Sequence, residues 1–210
     1  MKKNKISKNW IIKQKRDIYV RQSKLEGYRS RAVYKLIEIN EKFKILKNGS
    51  LVVDLGAAPG SWSQYLSQRI QNGKIVSIDL KQIEKINNVI QIVGDFTEDK
   101  FQSQIINIFK SDIDLVLSDM AVNTTGNKNI DSIQTGELCI EAMNFSKKIL
   151  KKNGIFVSKI FMGTSFNEIM IEAKSAFYDV KIFKPKSSRK DSKENFIVCK
   201  NLKKYAKNNI

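Results

Sequence analysis

What most constrains this chain is a repeating alternation. Short apolar runs of strand length are separated by stretches with helical periodicity. From Ser50 onward, SLVVDL leads into a helical stretch over about 61–70. KIVSIDL and VIQIVGDF follow, then a helix over Asp99–Phe109 and the run IDLVLSDM. The helix IQTGELCIEAMNFSKKIL precedes IFVSKIF, the helix FNEIMIEAKSAF precedes YDVKIF, and ENFIVCK closes the series. Strands alternating with helices imply a mostly parallel sheet covered by helices. The last two strands are joined only by a short basic loop, so the final strand is expected to be antiparallel. Upstream, SRAVYKLIEINEKF reads as a helix capped at Ser30, with Val33, Leu36 and Ile37 on its apolar face. The expected organisation is a basic arm over 1–28, one domain over 29–204 and a polar tail over 205–210.

In sheets of this kind ligands bind beyond the carboxyl ends of the strands. The first strand ends in Asp54 and the glycine turn DLGAAPGSW. Its glycines let backbone approach a ligand closely. The turn is neither GxxxxGK[ST] nor GxGxxG, which argues against a nucleotide triphosphatase and against a nicotinamide enzyme. The second strand ends in Asp79, an acid placed to accept both hydroxyls of an adenosine ribose. The third ends in Gly94-Asp95-Phe96, the fourth in Ser118-Asp119, and the fifth carries Lys159 inside an apolar run. Each has an ordinary structural alternative. Asp54 could brace the turn, and Asp79, Asp95 and Asp119 could shape strand ends. Trp62 could serve the core as well as a cofactor. Lys159 could lie on an exposed edge, although lysine is rarely buried unless paired.

Charge is unevenly spread over the 210 residues. The net is +17, yet residues 50–180 carry 13 basic and 15 acidic residues. Residues 1–49 carry 15 basic against 4 acidic, and residues 181–210 carry 10 against 2. Basic ends flanking a near-neutral core suit a polyanion partner, with a solvated lysine-rich surface as the alternative. There are no histidines, and the two cysteines, Cys139 and Cys199, form no CxxC pair. Thiolate zinc sites and histidine-based triads are therefore not expected, nor is an oxidising compartment. No apolar run reaches the length of a membrane span, so the reading is a cytoplasmic protein with no membrane contact.

The seven-strand order resembles the class I, S-adenosylmethionine-dependent form of the Rossmann sheet. The resemblance becomes specific in GYRSRAVYKL, VVDLGAAPGSWSQY, GDF, LSDMAVNTTGN, FVSKIFMG and KPKSSRKDSKENFIV, which occur in order over most of the chain. Together they resemble the FtsJ/RrmJ (RlmE) family of ribose 2′-O-methyltransferases of bacterial 23S ribosomal RNA. The resemblance implies a Lys-Asp-Lys-Glu catalytic set at Lys35, Asp119, Lys159 and Glu194. It implies S-adenosylmethionine contacts at Gly60, Trp62, Asp79, Asp95 and Asp119, no metal, and 23S rRNA in the large ribosomal subunit as partner, with the protein a monomer. Three positions depart from the family pattern. Val122 stands where proline is usual, Thr125 where serine is usual, and Phe196 where tyrosine is common, the last removing a hydroxyl that could meet RNA.

The chemistry explains the residue types. A ribose hydroxyl attacks a sulfonium methyl only with in-line geometry and a base beside it. Lys159 is assigned as that base and Asp119 as its orienter, with Lys35 and Glu194 positioning the ribose. The activated methyl makes a metal unnecessary. Arg29, Arg31, Lys184, Lys186, Arg189 and Lys190 are expected to rim the crevice as phosphate contacts. Two competing readings are a transfer RNA 2′-O-methyltransferase and a non-catalytic assembly factor binding ribosomal RNA. A protein or small-molecule methyltransferase fits the charge distribution less well.

Overall fold

A computed structural model describes residues 17–121, 128–189 and 191–203, the side chains of 128 and 129 excepted. Most of the expected arm, the tail, Val122, Thr125 and Lys190 lie outside the described residues. The chain runs α1 (Ile18–Leu25), α2 (Val33–Phe43), β1 (Leu51–Leu55), α3 (Ser61–Arg69), β2 (Lys74–Asp79) and β3 (Val89–Val93). It continues through α4 (Asp99–Phe109), β4 (Ile113–Ser118), α5 (Lys128–Ile149), β5 (Leu150–Phe161), α6 (Phe166–Ala176), β6 (Phe177–Phe183) and β7 (Glu194–Leu202).

The seven strands form one sheet in the order β3-β2-β1-β4-β5-β7-β6. β7 runs antiparallel to both neighbours, and the remaining pairs are parallel. This is the Rossmann-like class I methyltransferase sheet, and the expected antiparallel strand is β7. Two apolar clusters cover its faces. On one face Val33, Leu36 and Ile39 of α2 meet Trp62 and Leu66 of α3 over Val52, Leu115, Val157 and Val198. On the other, α4, α5 and α6 bring Ile105, Phe109, Phe145, Ile169 and Ala173 onto Val53, Val76, Val116 and Phe156. β5 lies between β4 and β7, so Lys159 is internal to the sheet, not on its edge. Among the described residues no helix is long and apolar enough to cross a membrane.

Three starts differ from expectation: α5 begins at Lys128 and β5 at Leu150, ahead of the expected runs, and α2 lacks its expected cap. α2 starts at Val33, and Ala32 caps it without a side-chain bond. Ser30 does not cap the helix. Its Oγ lies 2.8 Å from Ser61 Oγ on α3 and accepts from Ala32 N. A serine offered a tertiary partner there leaves the helix end to backbone bonds. The part of the N-terminal segment that is described is folded onto the domain. Asp17 caps α1, and the Tyr19 ring lies 5.3 Å from that of Tyr34 on α2.

Candidate active site

The parallel order brings the ends of β1, β2, β3 and β4 together around a cavity of about 630 Å³, a size suited to one small ligand. Asp79, Asp95 and Asp119 line it, with Gly56 and Met120. Gly56 is required by close approach. It has φ +73°, and a Cβ there would lie 2.6 Å from Met120 Cγ. The turn after β1 therefore seats directly on the residue after Asp119. Asp79 braces the same wall, accepting from Ala58 N and Lys81 N at 2.9 Å each. Asp95 Oδ1 accepts from Thr97 N and Thr97 Oγ1. Each of these carboxylates keeps lone pairs for a ligand, as an ionised carboxylate has about four acceptor sites.

A second cavity, of about 410 Å³, is lined by Lys35 and Glu194. Two distant segments build it, 30–35 and 187–194, with Arg31, Lys35, Ser188, Arg189 and Glu194 among its lining. Glu38 on α2 accepts from the backbone N–H groups of Lys186 and Ser187. Arg31 donates to Ser187 O and to Asp17. These bonds hold the loop before β7 against α2.

The four expected catalytic residues meet between the two cavities. Lys159 Nζ is 3.0 Å from Asp119 Oδ1 and also donates to the Asp119 carbonyl. Lys35 Nζ is 3.4 Å from Asp119 and 2.9 Å from Glu194 Oε2. The charges sum to zero, and all four side chains are at most 16 % exposed. Burial works against the Lys35 ammonium, but Asp119 and Glu194 outweigh it and raise its pKa. Burial likewise disfavours the Asp119 carboxylate, yet Lys159 and then Lys35 hold it below its ordinary value. Beneath the glycine turn, Asp54 accepts 2.6 Å from Ser63 Oγ, and its other oxygen has no hydrogen-bond partner among the described residues. Burial, opposed by that bond and reinforced by Asp119 and Asp79, pushes its pKa up to about 7.

Residues 28–202 match the profile of the FtsJ-like methyltransferase family. This chain belongs to that family. Among FtsJ-like relatives, it is 66% identical over 203 residues to the ribosomal RNA large subunit methyltransferase E of Pelagibacter ubique (strain HTCC1062), covering 97% of this chain and 100% of that one. The protein of the same name from Rickettsia akari (strain Hartford) is 47% identical, covering 94% and 89%. A solved structure described as a ribosomal RNA methyltransferase from Plasmodium falciparum superposes with a TM-score of 0.74 at 34% identity, covering 83% of this chain and 98% of that one. As an FtsJ-like enzyme of class I fold, the protein uses S-adenosylmethionine as methyl donor. The strand-end cavity fits that donor. Its charged lining is mainly acidic, which suits a sulfonium cation and ribose hydroxyls.

The other expected contacts sit differently. Trp62 is only 2% exposed, packs 5.8 Å from Phe196 and donates from Nε1 to Ala32 O. Its side chain belongs to the core, as does the N-cap position of Gly60, which faces Arg29, Ile83 and Ile86. Neither residue lines the strand-end cavity. Phe196 is fully buried, with Lys35 Nζ 5.6 Å from its ring centroid. It supports the ammonium rather than facing RNA. Of the expected rim, Arg31 and Arg189 line the second cavity. Lys184 instead donates to Ser192 O, and Arg29 donates to the carbonyls of Pro59 and Glu84. Sequence reasoning missed Glu38 and Ser188. Ser188 Oγ donates to Glu194 at 2.7 Å. Only the polar run SSRKDS hinted at it.

Proposed function

We propose that this protein transfers the methyl group of S-adenosylmethionine to the ribose 2′-oxygen of a uridine in 23S rRNA of the large ribosomal subunit, in the A-loop. The observation that carries the reading is the tetrad at the junction of an acidic and a basic cavity. The relatives named for ribosomal RNA large subunit methylation support the substrate. S-adenosylmethionine supplies an activated methyl when bound. Asp79 and Asp95 hold its nucleoside end, and Asp119 lies toward the methyl.

The nucleotide enters from the second cavity, where Arg31 and Arg189 meet phosphate. Arg31 is held there by its bonds to Asp17 and Ser187 O. Burial, and then the nearby Arg189, lower its pKa, with Glu194 opposing. Lys35, paired with two carboxylates, stays an ammonium and orients the ribose with Glu194. Lys159 is the base in this reading: as the neutral amine it takes up the hydroxyl proton and becomes the ammonium, with Asp119 fixing its Nζ. Proton removal in the transition state makes the oxygen a competent nucleophile.

Purified large subunits, small subunits, free ribosomal RNA and transfer RNA should be incubated separately with labelled S-adenosylmethionine. The products should then be digested to nucleosides for mass spectrometry. The expected product is 2′-O-methyluridine from the large subunit. Base-methylated nucleosides, or label only in transfer RNA, would overturn the assignment.

A further inference from the structure

Arg29 was expected at the RNA rim, two residues from Arg31, but the two side chains part. Arg31 reaches the loop before β7. Arg29 lies across the glycine turn, where Nη1 donates to Pro59 O at 3.2 Å and to Glu84 O at 2.9 Å. Its Nη2 donates to Lys85 O, and the Glu84 carboxylate is 3.7 Å away. One planar guanidinium thus joins the turn after β1 to the segment after β2, whose first residues, Leu80 and Lys81, wall the cofactor cavity. The glycine turn has been shaped around it. Gly60 has φ +102°, and a Cβ there would lie 2.5 Å from Arg29 Nη1 and 3.2 Å from both Ile83 Cδ1 and Ile86 Cδ1. The backbone of Arg29 is also fixed, since its N–H donates to Gln64 Oε1 of α3 at 2.9 Å.

We infer that Arg29 is a positioning residue for the methyl donor, a clasp that fixes the wall carrying Asp79 against the glycine turn, and not a contact to RNA. The inference rests on reading the strand-end cavity as the cofactor site. Three of Arg29's acceptors are neutral carbonyls on two separate segments, so the role needs the fork and not merely the charge. Lysine keeps the charge but cannot span them.

The test compares wild type, Arg29→Lys and Arg29→Ala. Calorimetry with S-adenosylhomocysteine, RNA binding over a salt series and steady-state kinetics are measured on each. Both variants should bind the nucleoside about tenfold more weakly and raise the cofactor KM to match, the size expected for losing charge-assisted hydrogen bonds. The kcat at saturating cofactor should stay within about twofold, and RNA affinity and its salt slope should not move. Wild-type cofactor affinity in Arg29→Lys would overturn the clasp. So would RNA affinity lost in Arg29→Ala and restored in Arg29→Lys, the signature of a phosphate contact. If Arg29→Ala melts too low to assay, Arg29→Lys carries the test through its Tm. The rise on adding S-adenosylhomocysteine should be smaller than in wild type, and an equal rise would overturn the proposal. Failure of wild type itself to bind the nucleoside would instead sink the functional reading.

Discussion

The two cavities bridged by the Lys35–Asp119 pair are made by different means. The cofactor cavity is a product of the sheet. Four parallel strands end together, and residues just past those ends must face one another. Its charged lining is Asp79, Asp95 and Asp119 against Lys81. The acceptor cavity is a product of tertiary ties. Arg31 and Ser187, whose bond closes it, are 156 residues apart in sequence. Its charged lining is Arg31, Lys35 and Arg189 against Asp191 and Glu194. A cationic donor and a polyanionic acceptor need this division. The tetrad bridges the two, with one acid, Asp119, paired to both lysines.

The largest expected effect is at that junction. Lys159→Ala should cut single-turnover rates by roughly a hundred- to ten-thousandfold, the usual worth of a general base, while both ligands still bind. Lys159→Arg should be nearly as slow, because arginine keeps the charge but does not accept a proton near neutral pH. Substantial activity in the arginine variant would make Lys159 an electrostatic group. The junction would then hold no base, and the division between donor and acceptor sides would lose its catalytic meaning.

Next in size is a pH effect confined to the cofactor half. Asp54 titrates at about 7 in the folded protein, against an ordinary value of 3.8, because burial resists its charge. Below pH 4 the carboxyl is neutral whether folded or unfolded, and folding costs nothing there. Between about pH 4 and 7 the unfolded chain ionises while the folded one holds its proton. Stability therefore falls as pH rises, by up to about 4 kcal/mol, and levels off above 7. Asp54→Asn removes the titration. Denaturant melts should show the wild type losing ground to the variant from pH 4 to 7. A difference that stays flat over that range would mean Asp54 is not held neutral.

The same contrast explains what could be read from the chain before its fold was known. Strand-end acids follow from periodicity alone, since Asp79, Asp95 and Asp119 each close an apolar run. Lys159 stood out because a lysine inside such a run needs a partner. Lys35 and Glu194 carried no local signal of that kind. Lys35 sits on an ordinary amphipathic helix and Glu194 begins an ordinary strand. Only the family resemblance joined them, because their pairing depends on β7 returning antiparallel beside β5. The arginines were harder still. Arg29, Arg31 and the loop residues are equally polar in sequence. Which of them faces a ligand is decided by carbonyls and carboxylates on other elements, such as Glu38 and Asp17. Ser30 failed as a cap for the same reason, its hydroxyl being taken by Ser61.

Smaller is the loss on removing one acid from the cofactor wall. Asp79→Ala should weaken S-adenosylmethionine binding by about ten- to a hundredfold, the worth of one charged hydrogen-bonding group. Part of this passes through Ala58 N and Lys81 N, which Asp79 now holds. RNA affinity should hardly change. Calorimetry with each ligand alone separates the two. Unchanged cofactor affinity would remove Asp79 from the site.

The smallest effect, and the mirror of the last, concerns Arg189. It lines the acceptor cavity, its side chain is 36% exposed, and its nearest acid, Asp17, is 4.0 Å away. A half-buried guanidinium with so loose a partner contributes little to folding. Arg189→Ala should therefore leave the melting temperature almost unchanged. RNA binding should weaken severalfold, and the slope of log affinity against log salt should flatten by roughly one unit, as one neutralised phosphate is lost. Cofactor affinity should stay at the wild-type value. The pair Asp79→Ala and Arg189→Ala then forms a crossed test, each variant losing the ligand that the other keeps. If Arg189→Ala weakened the cofactor, the two cavities would be one continuous site. If the salt slope did not move, the basic lining would be solvated surface, and the RNA would reach Lys159 by another face.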